Sequence, residues 1–455
     1  MKRNNIRILF VLLLLTSTAF GQAVKPVKVD PVETNLRRHV EYLASDKLEG
    51  RKTGQPGAET AAGYVANMFA KLKLRPGVVA KNGKRTYLQS YSYVVPTNPH
   101  GTPAGEPTKP PINGYNVIGI LDGSDKVLRN EAIVIGAHFD HLGRGGKGSG
   151  SLTPDSSDIH HGADDNASGT AAMVELARMF AKEKKNKRTI IFIGFSGEED
   201  GLFGSKAYTA NPVFPLDKTV AMLNLDMVGR LNDSKLNIGG IGTASEWKQL
   251  VESKNVKPES IVPVALQPKM TFNPGATGPH FNLALNEDGF GPSDHASFYM
   301  QKIPVLFFFT GTHLDYHKPT DTAEKINYAG TSGVVQYVAS IARAVDQNQT
   351  RPTYTVAKTT NTGGRMGFNV SLGTIPSYGD STDGMLVDGV RENSPAQRAG
   401  IKAGDKIVRI GSKEIKNVYD YTEALGGLKP DVEVDIAITR GGERLNLKIT
   451  PVKRQ

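Results

Sequence analysis

The sequence predicts an α/β domain, a mostly parallel mixed sheet with helices on both faces, followed by a small α+β domain. Three observations predict this. Short apolar runs of strand length alternate with amphipathic stretches of helix length across 116–345. At 348–364 a polar stretch containing Pro and Gly interrupts that rhythm. Beyond it, about ninety residues hold four short strand patterns and one helix pattern.

In chain order, Lys2, Arg3 and Arg7 precede an apolar run at 8–15 and a small-residue stretch ending at Gly21. This reads as a signal peptide, 1–21, cleaved before Gln22, because the apolar run is too short to span a bilayer. No later stretch is long enough to span, so the mature chain is expected to be exported, periplasmic or extracellular, without a stable membrane span. The formal charge of +10 over 455 residues falls to +7 once the three basic residues of the leader are removed. No dense Lys/Arg block remains, which points away from a nucleic-acid partner. Charged residues at 22% and hydrophobic ones at 38% exclude a wholly disordered chain. The absence of cysteine excludes a disulfide scaffold, thiolate metal sites and a Cys nucleophile, so a metal must rest on His, Asp and Glu.

Residues 35–74 carry helical spacing, and 94–112 read as a long surface loop rich in Pro, Gly and Thr. Strands are expected at 116–121, 131–137, 189–195, 219–225 and 303–309, with helices at 168–182, 245–253 and 332–345. The Gly-rich piece 143–151 is not a phosphate loop, since Lys147 is followed by Gly and no helix begins there. In the last part, strands are expected at 385–390, 405–410, 433–440 and 444–450, and a helix at 420–425.

The chemistry follows the strands. Residues 131–137 run into His138-Phe139-Asp140, 189–195 into Ser196-Gly197-Glu198-Glu199, and 219–225 into Asp226. Residues 303–309 lead to a loop with His313, Asp315 and His317, and Asp164-Asp165-Asn166 precede the helix near Ser168. In open α/β sheets the ligand crevice lies outside the carboxyl ends of the strands. Crowded carboxylates repel one another, and divalent cations relieve that repulsion. Two imidazoles with three or four carboxylates suit a pair of zinc ions, and a water between them, acidified, could attack a carbonyl.

Several motifs resemble those of metallopeptidase family twenty-eight, the group of secreted dizinc aminopeptidases with glutaminyl cyclase as a relative. They are Ala137-His138-Phe139-Asp140-His141, Gly162-Ala163-Asp164-Asp165-Asn166-Ala167-Ser168-Gly169, Ser196-Gly197-Glu198-Glu199, Leu225-Asp226-Met227, Ser293-Asp294-His295 and Tyr316-His317-Lys318-Pro319-Thr320-Asp321-Thr322. Ala44-Ser45-Asp46-Lys47-Leu48-Glu49-Gly50-Arg51 is also similar. The resemblance implies a zinc-exopeptidase fold of the phosphorylase/hydrolase-like kind. It implies that Asp165 bridges two zinc ions, with His138 and Asp226 on one and Glu199 and His317 on the other. Glu198 is then the general base that takes a proton from the bridging water and returns it to the leaving amine. Asp140 is implied to orient His138, and Asp165–Asn166 is the candidate for a cis peptide. The 94–112 loop is too short for a protease-associated insert. The full ligand set favours hydrolysis over cyclisation. His160, His161 and His280 match no ligand position and read as loop or pocket-wall residues.

Further on, Asn393-Ser394-Pro395-Ala396, Ala399-Gly400-Ile401 and Gly404-Asp405-Lys406-Ile407 resemble a bacterial PDZ domain. Such a domain adds an extended peptide to a sheet edge, and Met366, Gly367 and Phe368 would supply the loop that holds a C-terminal carboxylate. The expected division is leader 1–21, catalytic domain 30–347, linker 348–362 and PDZ domain 363–455. The function these readings favour is an exported aminopeptidase with two zinc ions, acting on peptides or proteins with a free N-terminus. The rivals are a carboxypeptidase or other amidohydrolase on the same metals, and a non-catalytic protein that binds peptides through its PDZ domain.

Overall fold

The computed structural model describes residues 30–94, 110–146, 149–151, 153, 155–255, 280–357, 370–376, 383–390, 393–416 and 418–453. The expected leader 1–21, most of the 94–112 loop, and Met366, Gly367 and Phe368 lie outside the described residues.

The expected helical stretch 35–74 divides into two helices because proline sets each start. Helix α1 (Pro31–Leu43) opens with Pro31 in its first turn, and the Asp30 carboxylate accepts the Val32 N–H at 3.0 Å. Its buried positions Leu36, His39, Val40 and Leu43 form one stripe. Helix α2 (Pro56–Lys71) also opens with a proline in its first turn, without a side-chain cap, and buries Ala58, Ala61, Ala62, Val65 and Phe69.

The elements of the large domain that build its main sheet and its covering helices are β1 (Arg75–Pro76), β2 (Leu88–Tyr93), β3 (Ile112–Leu121), β4 (Ala132–His138), α3 (Gly169–Glu183) and β5 (Thr189–Phe195). They continue with α4 (Phe203–Ala210), β6 (Thr219–Leu225), β7 (Lys235–Gly239), α5 (Trp247–Lys254), β8 (Asn282–Leu285), α6 (His295–Tyr299), β9 (Val305–Phe309) and α7 (Tyr328–Gln347). The strands form one nine-stranded sheet in the order β1-β3-β5-β4-β6-β9-β7-β8, with β2 beside β3. The four central strands β5, β4, β6 and β9 are parallel, and β3 and β7 flank them antiparallel. Every residue of β4, β5 and β6 is buried, as expected of strands covered on both faces. Ile133, Ile135, Ile190, Phe192, Leu223 and Leu306 pack with α1, α2, α3, α5 and α7. The alternate residues Val134, Ile191, Ile193, Met222 and Val305 pack on the other face with α4 and α6. Successive crossovers therefore put α3 on one face and α4 on the other, and their loops meet at the carboxyl ends of β4, β5 and β6.

The second core is separate and small, built on Val370, Met385, Val387, Ile407, Ile436 and Ile438. Around it runs a six-stranded antiparallel sheet that includes Met385–Val390, Lys406–Ile410, Val434–Arg440 and Glu443–Ile449, with a helix at Val418–Gly426. Asp405, from the quoted Gly-Asp-Lys-Ile run, receives two bonds from Arg440, each 2.7 Å.

Over its described part, residues 348–357, the expected linker runs along the large domain. Arg351 bonds Glu131 at 2.8 Å, Thr353 bonds Glu246, Thr355 N–H donates to the Thr243 carbonyl at 2.9 Å, and Ala357 N–H donates to the Tyr299 hydroxyl at 2.8 Å. These polar side chains serve main-chain and ion-pair contacts, so they leave no apolar period in the sequence.

Candidate metal centre

The side chains singled out as candidate metal ligands sit at or near the carboxyl edge of the sheet. His138 ends β4. Its Nδ1 lies 3.2 Å from the main-chain carbonyl of Asp140, so Nδ1 carries the hydrogen and Nε2 presents a lone pair to the crevice. Asp140 joins two turns. Its Oδ2 accepts from the Thr53 hydroxyl at 3.0 Å, its Oδ1 lies 3.4 Å from the Glu198 N–H, and Thr53 Oγ1 in turn accepts the Gly197 N–H at 2.9 Å.

The Asp164–Asp165 turn is fixed from behind. Asp321 accepts the N–H groups of Asp164 (2.8 Å) and Asp165 (3.1 Å) on one oxygen. The Asn166 amide donates to the Leu225 carbonyl at 3.0 Å and accepts the Met227 N–H at 3.2 Å, which ties the turn to the end of β6 where Asp226 follows. The Asp165–Asn166 peptide is cis. His317, in the loop after β9, places its Nδ1 2.9 Å from the Gly150 carbonyl, so its Nε2 also faces inward.

The inward-facing atoms fall into two groups that share one carboxylate. His138 Nε2 lies 3.4 Å from Asp165 Oδ1 and 3.3 Å from Asp226 Oδ1. His317 Nε2 lies 3.1 Å from Asp165 Oδ2 and 3.2 Å from Glu199 Oε2. Two atoms each about 2.0–2.1 Å from one tetrahedral ion stand about 3.3 Å apart, so both groups have the spacing of ligands to a common divalent ion. Asp165 offers a different oxygen to each group. The residues fit a pair of zinc ions.

One neighbour does not fit as a ligand beside Glu199. His141 Nδ1 lies 2.6 Å from Glu199 Oε1, too near for two ligands of one ion and right for a hydrogen bond. Sequence reasoning gave His141 no role, although it stands within a quoted motif. The same holds for Asp321. His160, by contrast, is a buried loop residue that bonds Ser151 at 2.7 Å, and His161 bonds Asp46 at 2.7 Å, in line with their reading as loop histidines.

Electrostatics agree with a site that lacks positive charge of its own. Burial pushes the Glu198 carboxyl well above its ordinary value, with Glu199 and Asp226 adding to the rise. Burial and the Glu199 charge raise Asp165 to about 7. Burial opposes ionisation of Glu199 too, but His317 and His141 outweigh it and hold that carboxyl well below the usual range. His138 and His317 are driven well above their ordinary value by the carboxylates around them, against the effect of burial. A cluster that draws protons onto its imidazoles is one that divalent cations neutralise.

Residues 116–342 match the family model described as Peptidase family M28, and residues 364–450 match that of the PDZ domain. Leupeptin-inactivating enzyme 1 of Streptomyces exfoliatus is 26% identical over 314 residues, 68% of this chain and 56% of that protein. Leucine aminopeptidase 2 of Trichophyton rubrum is 26% identical over 263 residues, 52% of this chain and 47% of that protein. The chain thus spans about half the length of these relatives. Among solved structures, the glutaminyl cyclase of Porphyromonas gingivalis superposes with a TM-score of 0.50 at 16% identity, covering 69% of this chain and 96% of that one, a likeness of fold.

Proposed function

Since the chain belongs to peptidase family M28 and carries a PDZ domain behind its peptidase domain, we propose that it is a zinc-dependent aminopeptidase acting on peptides with a free N-terminus. The observation that carries this reading is Asp165, whose two oxygens face two separate ligand groups. In this reading His138, Asp165 and Asp226 hold one zinc, and Asp165, Glu199 and His317 hold the other. Two bound zinc ions supply Lewis acidity toward the scissile carbonyl and lower the pKa of water.

The chain does the rest. Glu198 stands beside both groups, with a carboxylate oxygen within 4.8 Å of ligand atoms of His138 and Glu199. Its carboxylate takes the proton of the attacking water and returns it to the leaving amine as the C–O bond forms and the C–N bond breaks. Asp140, through its carbonyl, keeps His138 in the ligating tautomer. The leader at 1–21 supports export to the periplasm or beyond, and among the described residues no helix is long and apolar enough to cross a membrane. The peptidase domain, in this reading, extends to residue 357. The PDZ domain would take a C-terminal peptide by strand addition, its carboxylate loop at Met366, Gly367 and Phe368.

The test is hydrolysis of a panel of aminoacyl-anilides, N-blocked peptides and peptides ending in glutamate, with and without chelator. Cleavage confined to free N-termini, lost with chelator and restored by zinc, is the expected outcome. Cleavage of blocked peptides from the C-terminal end would replace the reading by a carboxypeptidase. Inertness of the zinc-replete protein toward all three would leave peptide binding by the PDZ domain.

A further inference from the structure

A fully buried arginine lies behind the metal centre, in a family-like motif to which the mechanism gives no work. Arg51 has no exposed surface. Its guanidinium bonds four main-chain carbonyls: Nε to Phe139 (2.7 Å), Nη1 to Leu43 (2.5 Å) and His161 (2.7 Å), and Nη2 to Gly162 (2.9 Å). Phe139 lies between His138 and Asp140. His161 and Gly162 lead directly into Asp164 and Asp165. One planar group therefore spans the loop that delivers His138 and the loop that delivers the shared carboxylate, Asp165.

The backbone around it is bent to the same end. Glu49, Gly50 and Arg51 are left-handed in succession, with φ of 45°, 70° and 51°. Left-handed conformations cost non-glycine residues about 1–3 kcal/mol each and persist where their surroundings enforce them. Gly50 has no room for a Cβ, which would collide with the carbonyls of Gly143 and His160. Its own carbonyl accepts the Gly143 N–H at 3.0 Å, and the Arg51 carbonyl accepts the His141 N–H at 3.3 Å. Burial lowers the guanidinium from its ordinary value to about 10, with Asp140, Asp165, Asp321 and Glu199 opposing the fall, so it stays charged at neutral pH.

We infer that Arg51 is a positioning residue for the metal centre: by gripping the carbonyls of Phe139, His161 and Gly162 it fixes the separation of His138 from Asp165, and so the affinity of the paired ions. The inference rests on the two-zinc reading above. A lysine keeps the charge but lacks the planar fork, so it cannot bond all the carbonyls at once.

The test compares the full chain with Arg51→Lys and Arg51→Met. The measurements are zinc affinity by chelator competition, the visible spectrum of the cobalt-substituted protein, and thermal unfolding of the metal-free state. Arg51→Lys is expected to bind the more weakly held ion about 10–100-fold less tightly, with an altered cobalt spectrum. Its kcat should fall while KM changes little. Wild-type zinc affinities and cobalt spectrum in Arg51→Lys, with only a lower melting temperature, would make the residue merely structural and overturn the inference. Should Arg51→Met fail to fold, the lysine variant decides. Hydrogen exchange in the wild type adds a check, since residues 46–53 hold no ligand yet should exchange faster once zinc is removed. Unchanged exchange counts against the inference. A wild type that binds a single ion overturns the two-zinc reading alone, because the Arg51 comparison still stands on that ion's affinity.

Discussion

His141 Nδ1 lies 2.6 Å from one oxygen of Glu199, while His317 Nε2 lies 3.2 Å from the other. The first contact fixes the carboxylate so that the second oxygen, and only that one, points into the crevice beside His317 and Asp165. Replacing His141 by alanine removes the donor, frees Glu199 to rotate, and leaves a buried carboxylate oxygen without a partner. Zinc affinity or turnover should fall about 10–100-fold, the usual cost of losing a partner that orients a ligand. Chelator competition together with kcat measures it, and an unchanged affinity would show that Glu199 needs no such partner.

Asp165 and Asp226 should differ in the number of ions they control. Asp226 faces His138 alone of the two imidazoles, whereas Asp165 faces both. Metal analysis after dialysis should find about one ion per chain in Asp226→Asn and fewer than one in Asp165→Asn, against two in the wild type. Equal loss in both variants would mean that Asp165 does not bridge.

Glu198 should separate chemistry from metal binding. Glutamine at that position keeps the volume but cannot take a proton. Glu198→Gln should retain zinc and melting temperature while turnover on aminoacyl-anilides falls by about 10²–10⁴-fold, the range of general-base contributions. Near-normal turnover would remove Glu198 from the mechanism.

How much of this was legible from sequence divides along physical lines. The strands β5 and β6 match expectation to the residue, since continuous apolar runs bounded by charged or capping residues have few other solutions. His138, Glu198, Glu199 and Asp226 were legible for a related reason, since each lies at or just beyond the end of such a strand, whereas Asp165 lies in a turn and His317 in a loop. β2, β7 and β8 were not, because strands at the sheet's margins carry polar residues such as Gln89, Ser90 and Asn237 in place of an apolar run. His141, Arg51 and Asp321 were visible in quoted motifs but had no assignable role, since their action depends on neighbours 58, 88 to 111 and 156 residues distant in sequence. No local pattern encodes such contacts.

His39 predicts a pH dependence of stability remote from the metals. It is buried in α1 with Nδ1 2.7 Å from the Tyr64 hydroxyl. Burial foremost, with Arg38, Arg178 and Lys71 adding, lowers it from 6.5 to about 4. The folded chain therefore keeps it neutral where the unfolded chain protonates it, between pH 6.5 and about 4. In that window the unfolded state binds more protons, so this contribution to stability is complete above the window and is lost as pH falls through it. Between pH 7.5 and 5 the loss is about 2 kcal/mol. Urea unfolding of wild type and His39→Asn at both values should show a difference that narrows by about that amount at the lower pH. A difference independent of pH would mean that His39 is not held neutral.

The segment 348–357 predicts where the chain can be cut. The Asn348 carbonyl accepts from the buried Arg188 at 2.6 Å, beside bonds from the same guanidinium to the carbonyls of Val345 and Asp346. Arg351 adds a second cation to Glu131, which Arg188 already bonds at 2.8 Å. Truncation after residue 347 removes the Asn348 and Arg351 contacts and those of residues 353–357, and leaves a buried guanidinium short of one acceptor, a loss of about 1–3 kcal/mol before packing is counted. Truncation after residue 357 removes only what lies beyond the strap, including the PDZ domain. The longer form should keep the melting temperature of the peptidase domain and its activity on aminoacyl-anilides, and should differ from the full chain only on longer peptides. The shorter form should melt lower. Equal melting of the two would return 348–357 to the role of a linker, and loss of small-substrate turnover in the longer form, with its fold intact, would make the PDZ domain part of the catalytic unit.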